Sequence, residues 1–274
     1  YSFLKKIIIG QNGKPDNLID YYIPDRYAEG YGISFQGIDF AKKNNFTLII
    51  ALDCGIKAID KIDYANEKNI DFIICDHHRP GNELPKAVAV LDPKRSDCTY
   101  PYDELCGCGV GFKLAQAFVQ KNNLPFEELT EYLDLAAISI AADLVPITGE
   151  NRTLCYFGLQ QLNQNPRKGI KAILDLAEIK KEITINELVF TVGPRINAAG
   201  RIESARNAVE LLVSDTHKNA KTSGININVT NLERRSLDQT ITQQALSMIA
   251  ENPELISRKS TVLFHPEWHK GVIG

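Results

Sequence analysis

Two short runs constrain this chain more than anything else in it. They are FTLIIALDCG, residues 46–55, with a strand expected over 46–52, and DFIICDHH, residues 71–78, with a strand expected over 71–75. Each is a β-branched apolar segment that stops abruptly at an acid. A run of this kind, bounded by polar or turn residues and lacking alternation, reads as a strand buried on both faces. KAIDKIDYANEKN (57–69) lies between them with helical spacing. FQGIDFAKKN (35–44) precedes them as a second helix, and AVAVL (87–91) follows as a further strand. IDYYIP (19–24) also reads as a strand, stopped by Pro24. Strand–helix alternation with fully apolar strands predicts an α/β fold with a mostly parallel sheet covered by helices on both faces.

The texture changes after Gly107. VGFKLAQAFVQKN, EELTEYLDLAAISIAADLV, TLCYFGLQQLNQ, KGIKAILDLAE and INELVFTVGPRINAAG all read as helices, giving a helical region through about residue 213. Residues 216–251 read as one long polar helix of the kind that usually bridges two bodies; Gly224 weakens its continuity. STVLF (260–264) reads as a last strand. The expected organisation is one domain over 1–213, with an α/β part to about 105 and a helical part from about 106. A connector helix over 214–258 and the start of a second domain over 259–274 follow. YSFLKKI opens inside an amphipathic helix without a cap, and GVIG stops where another helix should begin, so these residues are expected to be part of something longer.

With 274 residues, 44% of them hydrophobic and 24% charged, the chain has ample material for a core. No run approaches the roughly 18 apolar residues of a membrane span, and no leader pattern is present. Membrane binding is therefore not expected, and a reduced, cytoplasmic setting is. The net charge of −3 gives no global pull towards nucleic acid, so any such contact needs a local cluster of cations. Cys54 and Cys75 sit in apolar runs. Cys106 and Cys108 lack a second pair at zinc-type spacing, so no zinc site is expected.

The chemistry lies at the strand ends. One run ends at Asp53 and the other at Asp76-His77-His78. Adjacent parallel strands deliver such residues to one crevice. Asp143, in AADLVP (141–146), closes a strongly apolar helix just before Pro146, where a buried carboxylate must be paired, capped or metal-bound. Carboxylates mixed with imidazole suit Mn²⁺ or a similar divalent ion. Taken singly, each has a plainer reading: Asp53 as a helix cap, the Asp-His-His triplet as a hydrogen-bonded turn, Asp143 as an ordinary helix end. The combination favours a metal site.

ALDCG, CDHH and AADLVP resemble motifs II, III and IV of the DHH phosphoesterases. YIPDRYAEGYG (22–32), NRTLCYFGLQQLN (151–163), GPRINAAGRI (193–202) and HPEWHKGVIG (265–274) are similar to signatures of the RecJ-type single-strand-specific 5′→3′ exonucleases. The order of the motifs is kept through essentially the whole chain. The resemblance implies two ions, Mn²⁺ or Mg²⁺, with Asp53 bridging them and His77 and Asp143 completing the shell of one. His78 is expected to face the scissile phosphate, with Asp76 orienting a ligand. Asp76 and His78 are thus the catalytic candidates beside the metal ligands Asp53, His77 and Asp143. The family's Asp-rich first motif is not in the chain and is expected upstream of Tyr1. The glycine-rich motif of the second domain is expected beyond Gly274. Without them the 274 residues alone are expected to hold metal weakly.

DNA or phosphate contacts are expected from Arg26, placed at a strand end, from Arg79 beside the triplet, from Arg195, Asn197 and Arg201 in GPRINAAGR, and from His269 before a helix start at Gly271. The plainer alternatives are a surface ion pair for Arg79, pairing of the GPRINAAGR arginines with Glu203 or other acids, and a structural loop for His269. Tyr27 and Tyr31 are candidates for base stacking. CGCGVG (106–111) does not follow a strand in a βαβ unit and reads as the tight start of a helix. The function expected from the resemblance is hydrolysis of single-stranded DNA from a 5′ end, in recombination and repair. The protein is expected to act as a monomer, with a helicase or a single-strand-binding protein as candidate partners. The alternatives are a phosphoesterase of the same chemistry acting on short oligonucleotides or cyclic dinucleotides, and a non-catalytic replication scaffold.

Overall fold

The computed structural model describes residues 1–12, 18–202 and 204–273, so Glu203 and Gly274 lie outside the described residues. The chain divides into two compact units. The first comprises Tyr1–Arg167 and Ile179–Gly193, the second Lys168–Glu178 and Pro194–Gly274.

In the first unit, helix α1 (Ser2–Asn12) is followed by α2 (Phe35–Lys43), β1 (Leu48–Leu52), α3 (Ile59–Glu67), β2 (Asp71–Cys75) and β3 (Ala89–Leu91). The three strands form a parallel sheet in the order β1-β2-β3, with Leu52 opposite Cys75 and Cys75 opposite Leu91. Alternate side chains of the strands join α2 and α3 in one core: Ala51, Phe72 and Ile74 pack with Ile38, Ala41, Ile62 and Ala65. α2 starts cleanly because the Ser34 side chain accepts from the Gly37 N–H.

Helix α4 (Gly107–Lys121) approaches the sheet near Leu52, which lies close to Gly111. The expected cover on both faces holds for β2, whose Ile74 and Cys75 are fully buried. It does not hold for β1, where Leu48 and Leu52, on the same face of the strand, are 45% and 52% exposed.

The expected strand at 19–24 does not form. Strand structure needs a partner, and here the side chains turn to α2 instead: Tyr22 packs on Phe40, with ring centroids 5.2 Å apart. A turn then closes over residues 26–29, where the Asp25 carboxylate accepts from the Tyr27 and Ala28 N–H groups.

Past α5 (Glu127–Thr130), helix α6 (Leu133–Asp143) is apolar on all sides and buries Ala136, Ala137, Ile138, Ile140 and Ala141. It packs on α7 (Gly149–Gln164). The unit ends in the short α9 (Ile185–Glu187) and a π-helical turn over Leu188–Val192.

The second unit contains α8 (Lys168–Leu176), α10 (Gly193–Ile202), α11 (Arg206–Leu212), α12 (His217–Ala250) and α13 (Pro253–Ser257). The long helix forms as expected. Its buried positions Ala220, Gly224, Ile227 and Asn231 make a seam in the half that packs on α8. Gly224 does not break it, because the glycine lies where a Cβ would come within 3.1 Å of Ala172 Cβ, so the small residue serves helix packing. The expected strand at 260–264 is absent: Val262 and Phe264 are exposed, and no neighbouring strand pairs with them among the described residues. No helix among the described residues is long and apolar enough to cross a membrane.

One buried ion pair ties α6 to the end of the α7 connection. Asp134 is 1% exposed and accepts a fork from Arg167: Nε to Oδ2 at 2.6 Å and Nη2 to Oδ1 at 2.5 Å. Arg167 Nη2 also donates to the Glu131 carbonyl. Removing the guanidinium strands a carboxylate in the core. Arg167→Ala is expected to cost about 3–5 kcal/mol in denaturant unfolding; a loss below about 1 kcal/mol, the range of an exposed pair, would contradict the staple.

Candidate metal centre

The parallel register builds the site. Leu52, Cys75 and Leu91 end their strands side by side, so the residues that follow them reach one edge of the sheet. The residue following each strand is an aspartate: Asp53, Asp76 and Asp92. The ladder runs one step further, with the Asp53 N–H donating to the Cys75 carbonyl at 2.8 Å and the Asp76 N–H to the Leu91 carbonyl at 2.9 Å. Asp53 then takes a left-handed backbone (φ 64°), unusual for a residue with a side chain. Asp143 arrives from elsewhere, as the last residue of α6, before Leu144 turns the chain with φ 54°.

These groups meet at His77, which is 7% exposed. Its Nε2 lies 3.1 Å from Asp53 Oδ1 and 3.3 Å from Asp143 Oδ2. The Asp53 carboxylate beside the ring, and then the Asp143 charge, raise its pKa above the ordinary value against the opposing effect of burial. Ligand atoms of Asp53, His77 and His78 all lie within 4.8 Å of one another. The sequence placed Asp143 at a buried helix end. The structure corrects this: α6 is buried through Ala141, but the Asp143 side chain emerges, 40% exposed, towards the imidazole.

The donors fit a hard divalent ion. Both ring nitrogens of His77 are buried and make no aligned hydrogen bond, although two carboxylate oxygens stand close to Nε2. Such an orphaned atom between two anions is what a cation would satisfy. The set is carboxylate and imidazole, which suits Mn²⁺ or Mg²⁺ better than structural zinc. The nearby thiol of Cys54 is pushed up to about 11 by burial and then by the Asp76 and Asp53 charges, so it stays protonated and is a poor ligand. Cys106 instead caps α4, accepting from the Gly109 N–H.

Asp76 takes a different part. It is 1% exposed and saturated with donors: Oδ2 accepts from the Ile56 N–H at 2.9 Å, and Oδ1 from the His77 and His78 N–H groups and from His78 Nδ1 at 2.7 Å. Burial works to raise its pKa, but these hydrogen bonds win and hold it below the ordinary carboxylate value. An ionised carboxylate only accepts, so His78 Nδ1 carries the proton and Nε2 is the atom presented outwards.

Arg26 does not follow a strand as expected, but lies on the 26–29 turn, with its guanidinium over the ring of Tyr31 at 5.5 Å. Tyr31 lines a cleft of about 340 Å³ together with Asp53, Lys57, Asp76 and His78. Tyr27 is exposed beside the turn. Arg79 is exposed and makes no ion pair among the described residues.

The other expected phosphate contacts belong to the second unit. GPRINAAGRI is a helix there, with Ala198 and Ala199 buried and Asn197 exposed. Arg195 Nε donates to Asn228 on α12, whereas Glu203 lies outside the described residues. Arg201 is half-buried in the last turn of α10. His269 sits in a turn where its Nδ1 accepts from the Gly271 N–H, and no helix starts at Gly271.

Two features were missed in the sequence. Asp92 is 3% exposed, with Oδ1 accepting from the Lys94 N–H and Oδ2 unpartnered; burial and then the Asp76 charge raise its pKa despite the Lys94 bond. The LDP that closes β3 repeats the strand-end acid and was the available sign. Glu29 is the second, accepting from Tyr22, Ser34 and the Asp25 N–H and so fixing the turn that carries Arg26. No pattern in the sequence marks it.

A family model described as the DHH family, N-terminal domain, matches residues 1–140. The chain is similar to the single-stranded-DNA-specific exonuclease RecJ of Bacillus subtilis (strain 168), 40% identical over 93% of this chain and 32% of that protein. The Escherichia coli (strain K12) exonuclease of the same name is 34% identical, over 93% of this chain and 47% of that protein. A solved structure of exonuclease RecJ bound to manganese superposes with a TM-score of 0.83 at 28% identity, over 99% of this chain and 66% of that one. RecJ from Thermus thermophilus in complex with Mn²⁺ gives 0.76 at 29% identity, over 87% of this chain and 35% of that one. The chain thus spans about a third to a half of the length of these curated relatives.

The bonds around Asp76 generate an expectation. Asp76→Asn keeps the volume but turns an amide donor towards either Ile56 N–H or His78 Nδ1. Mn²⁺ affinity is expected to fall roughly 10–100-fold, as for other residues that orient ligands. Calorimetric titration checks this; an unchanged affinity would remove the orienting role.

Proposed function

The chain belongs to the DHH family, and from that premise we propose that it forms the metal-bearing part of a 5′→3′ exonuclease acting on single-stranded DNA. The observation that carries this reading is the buried, hydrogen-bond-orphaned His77 Nε2 held between Asp53 and Asp143. The similarity to single-stranded-DNA-specific exonucleases and to a manganese-bound structure supports the choice of reaction.

In this reading Asp53, His77 and Asp143 would hold the divalent ions, with Asp53 the carboxylate at the centre of the set. Bound divalent ions supply an acidified water and charge stabilisation for the in-line displacement. Every other task falls to the chain. Asp76 fixes the His78 ring through Nδ1, so that Nε2 faces the phosphate or the leaving oxygen. The 340 Å³ cleft between Tyr31 and His78 receives the end of the strand, with the Tyr31 ring as a stacking surface and Arg26 beside it for a terminal phosphate. Arg79 offers an exposed cation next to the triplet.

Arg195, Asn197, Arg201 and His269 are assigned to the DNA backbone, where contacts position a strand without reading its sequence. The substrate is then a single strand with a free 5′ end, such as a helicase or a single-strand-binding protein would present. The reading carries with it action in the cytoplasm by a monomer. The domain division carried by this proposal is a catalytic domain over 1–213, a connector over 214–258, and the start of a second domain from 259.

The test is a panel of 5′-phosphorylated single strand, duplex, dinucleotide and pyrophosphate, each with Mn²⁺. Preferential shortening of the single strand from its 5′ end is expected, and Asp53→Ala is expected to abolish it. Preference for the dinucleotide would move the assignment to a small-substrate phosphoesterase. Retained cleavage in Asp53→Ala would remove Asp53 from the metal-holding set.

A further inference from the structure

We propose that Gly107 is a positioning residue for Asp53: the side chain missing at the first residue of α4 leaves the space in which the Asp53 carboxylate stands. The distances are short. A Cβ placed on Gly107 would lie 2.1 Å from Asp53 Oδ1, 2.4 Å from Cγ and 2.6 Å from Cβ. No rotation of the carboxylate relieves all three, because the Asp53 Cβ is fixed by the backbone. That backbone is pinned by the ladder bond to Cys75 and by its left-handed turn. The helix is pinned as well. Gly107 is buried, and the preceding Cys106 caps α4 through its thiol and also accepts from the Val110 N–H.

The other glycines of CGCGVG differ. A Cβ on Gly109 would come nearest to Leu105 Cδ2 and the capping Cys106 Sγ, at 3.3 and 3.4 Å, and one on Gly111 to Leu52 Cδ2 at 3.1 Å. Such neighbours can give by a few tenths of an ångström. The segment thus contains one glycine whose Cβ would overlap a carboxylate and two whose Cβ would come no nearer than 3.1 Å to any neighbour.

The consequence follows from what Asp53 Oδ1 touches. The atom nearest to Gly107 is the same one that approaches His77 Nε2 at 3.1 Å. Any side chain at position 107 must displace that oxygen from its place beside His77 or lift α4 off the sheet edge. Gly107 therefore sets the separation of two groups of the centre while contacting no substrate. The contact stands on the geometry alone; its effect on metal rests on the metal-centre reading.

The test uses the full chain with Gly107→Ala, Asp53→Gly, their combination, and Gly109→Ala as comparator. Glycine at position 53 suits the left-handed backbone and removes all three clashing atoms. Thermal stability is measured without added metal, and Mn²⁺ affinity by calorimetry. Gly107→Ala is expected to lower the melting temperature when Asp53 is present and to have no such effect in the Asp53→Gly background, the non-additivity of a direct contact. It is also expected to weaken Mn²⁺ binding roughly 10–100-fold, while Gly109→Ala leaves it unchanged. Equal losses of stability in the two backgrounds would overturn the inference. If Gly107→Ala proves insoluble, recovery of soluble protein by Asp53→Gly supports the contact and failure to recover overturns it. An unsubstituted chain that binds no Mn²⁺ while the coupling persists would instead overturn the metal reading.

Discussion

The parallel pairing of Leu52 with Cys75 and of Cys75 with Leu91 is the constraint on which the rest depends. It sets three consecutive strand ends level, and each is followed by an aspartate. Like charges brought together at a sheet edge repel, and the fold resolves the conflict differently for each. Asp76 is buried and stays ionised because backbone and ring N–H groups converge on it. Asp92 is buried with one oxygen unpartnered, and its pKa rises. Asp53 stays half in solvent, turned by a left-handed backbone towards His77 and the start of α4. One register thus yields an orienting acid, a buried acid and an exposed acid available to a cation.

The helices supply what the sheet cannot. α6 is apolar on all sides, so the core fixes its position and with it the point where Asp143 leaves the packed region. That end lies 3.3 Å from the imidazole, without any sequence proximity to the strands. The start of α4 lies against Asp53. A carboxylate is favoured at a helix N-terminus, where N–H groups lack partners within the helix. The glycine at that position lets the approach become close enough to matter.

Much of this was legible because it rests on pattern. The apolar runs at 48–52 and 71–75 are strands through composition alone, and the acids that end them must share an edge once the sheet is parallel. The apolar stretch before Asp143 likewise announces a core helix. The strands expected at 19–24 and 260–264 failed for a common reason. β-Propensity describes a side chain suited to a pleated surface, but a strand exists only with a partner. Tyr22 found α2 instead, and Val262 and Phe264 have no neighbouring strand among the described residues. Asp92 escaped notice because the VLD that ends β3 lacks the histidines that drew attention to Asp76. Glu29 and Gly107 were illegible in a stricter sense. Each matters through a contact distant in the chain or through a missing side chain, and neither has a periodicity to betray it.

The charge balance carries the argument one step further. The chain has a net charge of −3, and its centre concentrates Asp53, Asp76 and Asp143 around two imidazoles. Without a cation such a cluster repels a phosphodiester, so the cations on the rim, Arg26 and Arg79, work against their own surroundings. In the proposed centre a divalent ion held by Asp53, His77 and Asp143 would offset most of that negative charge and lessen the opposition. Under the proposed function metal and phosphate would favour one another at this site, each tightening the other by reciprocity. Under the proposed exonuclease reading, oligonucleotide binding and cleavage would depend on the same ions.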